Sequence, residues 1–331
     1  MVPTKPIGRI MERRPLAIVL APNSAFLDDE LRRRFELVHF HALAEPQQRK
    51  WLQANVARVA AVVTNGKIGC TSALIDELPN LGIIAVHGVG VDAVDLDAAH
   101  RRGIVVTNTP HVLTDDVADL AVGLVISLLR RIPAADLFVR SGDWERSEFP
   151  LARTVTGRRF GIVGLGRIGT AIAERLEAFG SVAYTGTGPK AVPWAFHATP
   201  ASLADASDVL IVACAANEST RSLIGREVLS ALGSDGYLIN IARGAVVDEA
   251  ALVQMLSEGR IAGAALDVFV AEPDVPAPLR DSDRTVLTPH IGSATIETRR
   301  RMAEMVLLDL DAFFSGSQPQ NVVVSGDAFR R

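Results

Sequence analysis

Three short segments carry side chains suited to gripping an anion and moving a proton. Asn240-Ile-Ala-Arg243-Gly244 puts a guanidinium just past an apolar run that reads as a strand. Ligands of doubly wound sheets bind at such carboxyl ends, and a guanidinium holds a carboxylate through two parallel hydrogen bonds. Ala264-Ala-Leu-Asp267-Val-Phe-Val-Ala-Glu272-Pro273 ends a second such run in two acids, and Leu287-Thr-Pro-His290-Ile-Gly292 places an imidazole after a third. Histidine titrates near neutrality and can donate to an oxygen on which negative charge builds, as when hydride reaches a ketone. A nearby Glu would orient the ring and favour its charged form, and an Arg would polarise the carbonyl. Singly, each has a plainer reading: Arg243 in a surface ion pair, Glu272 as a loop carboxylate, His290 as a satisfied turn residue.

A fourth segment is backbone chemistry. Phe160-Gly-Ile-Val-Gly164-Leu-Gly166-Arg-Ile-Gly169 follows a strand pattern and opens a helix pattern over Thr170–Phe179. This is GxGxxG in the context it requires. The first glycine permits the tight turn, the second lets the chain approach a pyrophosphate, and the third lets helix and strand pack closely. The helix N-terminus offers unpaired N–H groups to phosphate. No Asp or Glu occurs from Ala178 to Ala204, where an NAD site places an acid on the ribose 2′-hydroxyl. Thr185, Gly186, Thr187 and Lys190 could instead take a 2′-phosphate, so NADP(H) is preferred, with NAD(H) as the alternative in a looser site.

The elements that must position these groups are legible in outline. Val- and Ile-rich runs without strict alternation occur at Leu16–Ala21, Val59–Thr64, Ile83–His87 and Ile104–Thr107. A second set covers Phe160–Val163, Val182–Tyr184, Val209–Cys214, Tyr237–Ile241, Ala264–Val268 and Thr285–Leu287. Such runs read as strands covered on both faces, and their alternation with helices predicts two doubly wound α/β domains. Between the sets, Thr114–Ile132 reads as one helix stopped by Pro133 and bridging the domains; Ser141–Thr156 reads as loop, and Ile296–Phe314 as a returning amphipathic helix.

Composition excludes other classes. With 34 basic and 38 acidic residues the net charge is −4, and aromatics are 5% of the chain, so neither a polyanion footprint nor base-stacking platforms are expected. Cys70 and Cys214 have no metal-ligand spacing and read as thiols in a reducing compartment; no metal is expected. The Leu16–Ala21 run is shorter than an export-signal core, and Leu120–Leu129 is short of a membrane span, so a cytoplasmic protein without membrane or nucleic-acid partners is expected.

Arg243, Glu272 and His290, in that order downstream of Gly164-x-Gly166-x-x-Gly169, resemble the D-isomer-specific 2-hydroxyacid dehydrogenase family, and in detail its glyoxylate/hydroxypyruvate reductase branch. Thr185-Gly186 after Tyr184, and His290-Ile-Gly-Ser-Ala-Thr295 after proline, carry that placement. The resemblance implies a flavodoxin-like substrate domain over residues 1–107 plus 293–331 and a Rossmann NAD(P)-binding domain over residues 108–292. It implies that Arg243 binds the 2-oxo acid and His290 protonates its carbonyl oxygen, with Glu272 as partner. Cofactor contacts would also come from Thr114, Leu165, Arg167, Ile168, Cys214, Ile241, Asp267 and Gly292, with Asp267 near the nicotinamide carboxamide. In His87-Gly88-Val89-Gly90-Val91-Asp92 the N–H groups of Val89 and Gly90 would hold the substrate carboxylate, and Ile68 or Lys67 would wall the pocket.

The resemblance also implies a homodimer, with Leu151 placed where members reach a partner's site. Many NADP-preferring members carry Arg where Thr187 stands, and the segment before Tyr184 is one residue short. No further domain is expected after about residue 316, which disfavours a phosphoglycerate enzyme. The alternatives are a related dehydrogenase, such as one for 2-ketogluconate, and a dinucleotide-sensing protein akin to corepressors of this fold.

Overall fold

The computed structural model describes residues 14–325. Along them run β1 (Leu16–Val19), β2 (Glu36–His39), β3 (Val59–Thr64), β4 (Ile83–Val86), β5 (Val105–Thr107), β6 (Arg158–Val163), β7 (Gly180–Thr185), β8 (Ala195–Phe196), β9 (Val209–Val212), β10 (Tyr237–Asn240), β11 (Gly263–Leu266), β12 (Thr285–Leu287) and β13 (Val322–Val324). The chain divides into two compact units: the described residues up to Val112 with those from Ile296 onward, and Leu113–Thr295.

The first unit holds a six-stranded sheet in the order β13-β5-β4-β3-β1-β2, parallel except for the β13–β5 pair. The order 2-1-3-4-5 of its first five strands is the flavodoxin-like winding. β1 and β4 are buried along their whole length because both faces are covered. Ile18, Val62, Ile84 and Val86 pack on one side. Ala17, Val19, Ile83 and Ala85 pack on the other, beneath Leu27 and Leu31 of the Ala25–Arg34 helix and Ala303, Val306, Leu307 and Leu310 of the Ile296–Phe314 helix.

The second unit holds a seven-stranded, all-parallel sheet in the order β12-β11-β10-β9-β6-β7-β8. Counted from β6 this is 3-2-1-4-5-6-7, the Rossmann winding extended by one strand, with its switch point between β6 and β9.

Two expectations are corrected. The helix predicted over Thr114–Ile132 ends at Leu129, because Arg131 adopts a left-handed φ of 54°. Pro133 does not stop it; it sits in the first turn of a second helix, Ile132–Arg140, where its missing N–H costs nothing. The Thr114–Leu129 helix lies wholly within the second unit rather than bridging two domains. Strands β2, β8 and β13, absent from the sequence reading, are edge strands, two to four residues long and partly exposed.

Candidate active site

The dinucleotide turn follows from sterics at the end of β6. Gly164 has a φ of +97°, and a side chain there would put Cβ 2.6 Å from the Cα and Cβ of Cys214. At Gly169 a Cβ would stand 2.1 Å from the Gly164 carbonyl oxygen. Both glycines are thus demanded by the protein itself. Gly166 differs: no atom lies within 4 Å of its Cβ position. It caps the ten-residue helix Arg167–Leu176 with no side-chain bond, so the first N–H groups face the open side. That bare approach to a helix N-terminus is what a pyrophosphate needs. Around it, Leu165 is buried, Ile168 half-buried and Arg167 exposed. Cys214 is half-buried behind the turn, and that burial pushes its thiol pKa up.

At the end of β7 the Thr185 carbonyl accepts from Gly164 N at 2.9 Å. Thr185 is only 3% exposed, so the hydroxyl available at this turn is that of exposed Thr187. Lys190 is drawn over the glycine loop. Its Nζ donates to the Leu165 carbonyl at 2.5 Å, and its backbone N–H donates to the Tyr184 hydroxyl at 2.6 Å. Trp194 Nε1 donates to Glu177 Oε1 at 2.7 Å, tying the segment after Lys190 to the end of the Arg167–Leu176 helix. Gly186 and Gly188 leave space beside these groups.

The catalytic candidates stand beyond neighbouring strand ends of the same sheet. Asn240, 1% exposed, closes β10: its Nδ2 donates to the Arg243 carbonyl at 3.1 Å and its Oδ1 accepts from Ala242 N at 3.0 Å. Gly244 then passes so close to Phe269 that a Cβ would lie 2.0 Å from the Phe269 carbonyl carbon. This contact brings the Arg243 turn against the loop after β11, which carries Glu272. Glu272 Oε1 accepts from Phe269 N at 3.1 Å, and its Oε2 meets His290 Nδ1 at 2.9 Å. Glu272 is 12% exposed in its side chain and His290 38%, so the carboxylate is sheltered while the imidazole reaches solvent. His290 itself has a left-handed φ of 56°.

Asp267 explains how that conformation is held. Its carboxylate, 1% exposed, accepts from Thr288 Oγ1 at 2.7 Å, Ile291 N at 2.8 Å and Gly292 N at 2.9 Å. Asp267 therefore clamps both sides of His290. Gly292 fits because a Cβ would be 3.3 Å from both Asp267 Oδ2 and Val117 Cγ2. Ile241 is buried just past β10, and Thr114 opens the Thr114–Leu129 helix.

In the first unit the loop after β4 is held by its carbonyls. Thr109 N donates to Gly88 O at 2.9 Å, and Asn108 Nδ2 donates to Val89 O at 2.8 Å. Val89 and Gly90 are half-buried. Ile68, 49% exposed, sits in a turn closed by Asn65 Oδ1, which accepts from Lys67 N and Ile68 N. The sequence reading missed Asn108, Thr109, Tyr184 and Asn240. Asn240 carried a signal, being a polar residue ending an apolar strand directly before the Arg243 turn.

Among the described residues no group of three or more His, Cys, Asp or Glu could hold a metal, and no helix is long and apolar enough to cross a membrane. A glycine turn built for a dinucleotide and a carboxylate-buttressed imidazole on one Rossmann sheet define a nicotinamide-dependent oxidoreductase. The family model for the D-isomer specific 2-hydroxyacid dehydrogenase NAD binding domain matches residues 122–292. Glyoxylate/hydroxypyruvate reductase A of Arabidopsis thaliana is 46% identical over 309 residues, covering 93% of this chain and 98% of the relative. The 2-ketogluconate reductase of Gluconobacter oxydans is 41% identical, covering 92% and 97%. The crystal structure of an NADPH-dependent glyoxylate/hydroxypyruvate reductase from Sinorhizobium meliloti, in complex with NADP and malonate, superposes with a TM-score of 0.87 at 41% identity, covering 96% and 99%. The chain belongs to the D-isomer-specific 2-hydroxyacid dehydrogenases.

Proposed function

We propose that this enzyme reduces small 2-oxo acids, glyoxylate and hydroxypyruvate foremost, to the D-2-hydroxy acids with NADPH. The observation that carries the reading is the His290–Glu272 pair at 2.9 Å, fixed between Asp267 bonds and set beside the Arg243 turn. His290 gives its proton to the carbonyl oxygen as negative charge builds there, and Glu272 holds the ring with its other nitrogen toward the substrate. Arg243 grips the carboxylate and polarises the carbonyl. The cofactor, when bound along Gly164–Gly169, supplies the hydride. In the first unit the Val89 and Gly90 N–H groups hold the substrate carboxylate, beside Ile68. We assign substrate binding to that unit and cofactor binding to the second.

Support for NADP(H) over NAD(H) comes from the ammonium of Lys190 on the Leu165 carbonyl, the open Thr187 hydroxyl, and the lack of any acid between Ala178 and Ala204. A homodimer is supported by apolar side chains on the second unit's surface: Leu137 is 67% exposed, Trp144 68% and Leu151 98%. A cytoplasmic setting suits the free thiols Cys70 and Cys214; burial pushes the Cys70 pKa up to about 12, which keeps it inert.

The test is a rate matrix of NADPH and NADH against glyoxylate, hydroxypyruvate, pyruvate and 2-ketogluconate. The expected optimum is NADPH with glyoxylate or hydroxypyruvate. His290→Ala and Arg243→Ala should each lower kcat/KM about 10³-fold. Wild-type rates in either variant sink the proton-donor assignment; preference for 2-ketogluconate moves the substrate; turnover of none of the acids favours a dinucleotide sensor.

A further inference from the structure

At its carboxyl end β4 runs into His87 and then into the Gly88–Gly90 loop. His87 is 6% exposed, and its Nε2 is buried with no hydrogen-bond partner. Thr109, whose N–H holds the Gly88 carbonyl, is fully buried and its hydroxyl is likewise unpartnered. Next to His87 stands Arg299, in the first turn of the Ile296–Phe314 helix. Burial above all, and then the like charge of Arg299, push the His87 pKa down to about 4, against a hydrogen bond that the imidazole donates to the Arg299 backbone. His87 is therefore neutral at working pH, and Arg299 is the charge at this end of the strand.

Arg299 is itself partly buried, and burial alone lowers its pKa. Among the described residues no carboxylate pairs with its guanidinium. A cation in the first turn of a helix also meets the positive end of the macrodipole. Withdrawn charges are ordinarily paired, so a half-buried guanidinium in such a place calls for an anion from outside the chain. Its neighbour His87 leads directly into the Gly88–Gly90 loop, whose Gly88 and Val89 carbonyls are already taken by Thr109 and Asn108.

We propose that Arg299 is the fixed positive charge of the carboxylate subsite in the first unit, acting on the substrate anion held by the Val89 and Gly90 amides. The inference rests on the assignment of the substrate carboxylate to that loop. Arg299 adds binding, not proton transfer, so its loss should appear in KM and not in kcat. His87 and Thr109 contribute no competing charge, which leaves the guanidinium to the substrate.

The experiment compares Arg299→Met, Arg299→Lys and Gly90→Pro in the full-length enzyme. It measures kcat and KM for glyoxylate, KM for NADPH, inhibition by oxalate, and melting temperature. Arg299→Met should raise the glyoxylate KM and the oxalate inhibition constant about tenfold together, with kcat within about twofold and the NADPH KM unchanged. Arg299→Lys should restore most of the affinity. Arg299→Gln replaces Arg299→Met if the latter fails to fold. An unchanged glyoxylate KM in Arg299→Met, with a raised KM in Gly90→Pro, overturns the inference and leaves the loop assignment standing. An unchanged KM in both removes the loop assignment and the inference with it. Parallel loss of glyoxylate and NADPH binding without rescue by lysine makes Arg299 structural and also overturns it.

Discussion

The turn after β6 and the loop after β4 are built alike, each a glycine-rich exit from a buried parallel strand, yet their glycines answer to different causes. Gly164 and Gly169 are required by the protein's own atoms, at 2.6 Å from Cys214 and 2.1 Å from the Gly164 carbonyl. At Gly88 the nearest atom to a Cβ is 3.4 Å away, ordinary contact. The second unit thus sets its turn by packing and leaves only Gly166 bare, where the ligand's phosphates would come. The first unit sets its loop by hydrogen bonds to carbonyls, from Asn108 and Thr109, and the charge proposed for it comes from a distant residue, Arg299. One site is written in consecutive residues; the other is assembled from segments far apart in the chain.

That contrast is open to measurement. The largest effect is expected from Gly164→Ala, which adds a Cβ against the Cys214 backbone at a positive φ: a loss of about 4 kcal/mol in denaturant unfolding, with NADPH binding abolished. A fully stable, NADPH-binding variant would remove the steric account.

The next probe is pH. Because the native pKa of His87 lies at about 4 rather than the ordinary 6.5, below pH 6.5 the unfolded chain takes up a proton that the native state refuses. Stability should therefore fall between pH 6.5 and 4, by up to about 3 kcal/mol, and His87→Leu should flatten that segment of the curve. An equal pH slope in wild type and variant denies His87 its buried, neutral state.

Asp267→Asn comes third. The carboxylate accepts at both oxygens, and the amide must turn a donor toward one of the three groups it holds. The His290 loop should loosen and kcat/KM fall about 30-fold with little change in the NADPH KM, an effect of about 2 kcal/mol. A rise confined to the NADPH KM would instead assign Asp267 to the carboxamide. Smallest is Gly88→Ala, with under about 1 kcal/mol in stability; a larger loss would erase the distinction between the two turns.

Much of the fold was legible because buried parallel strands have a plain signature. Thr285–Leu287 and the Ile296–Phe314 helix occur with the expected bounds, and the other core strands shift by at most two residues at an end. The edge strand β12 was legible, but the edge strands β2, β8 and β13 were not: β2 mixes polar and apolar residues, and β8 and β13 are partly exposed runs of two and three residues. The helix break at Arg131 was also hidden: Pro133 reads as a stop, but proline is equally at home in the first turn of a new helix. Of the site, Arg243, Glu272 and His290 were visible as polar residues at strand ends. What Asp267 holds was not, because its three donors lie more than twenty residues along the chain.

The sequence by itself determined the doubly wound α/β architecture, the dinucleotide turn and the candidate reactive side chains, because strand burial and a glycine turn are properties of neighbouring residues. Only the tertiary structure decided which threonine is open at the end of β7, that Lys190 lies on the Leu165 carbonyl, that Asp267 clamps the His290 loop, and that Arg299 stands beside His87. Those are matters of burial and of hydrogen bonds between distant segments, and distance along the chain carries no record of either.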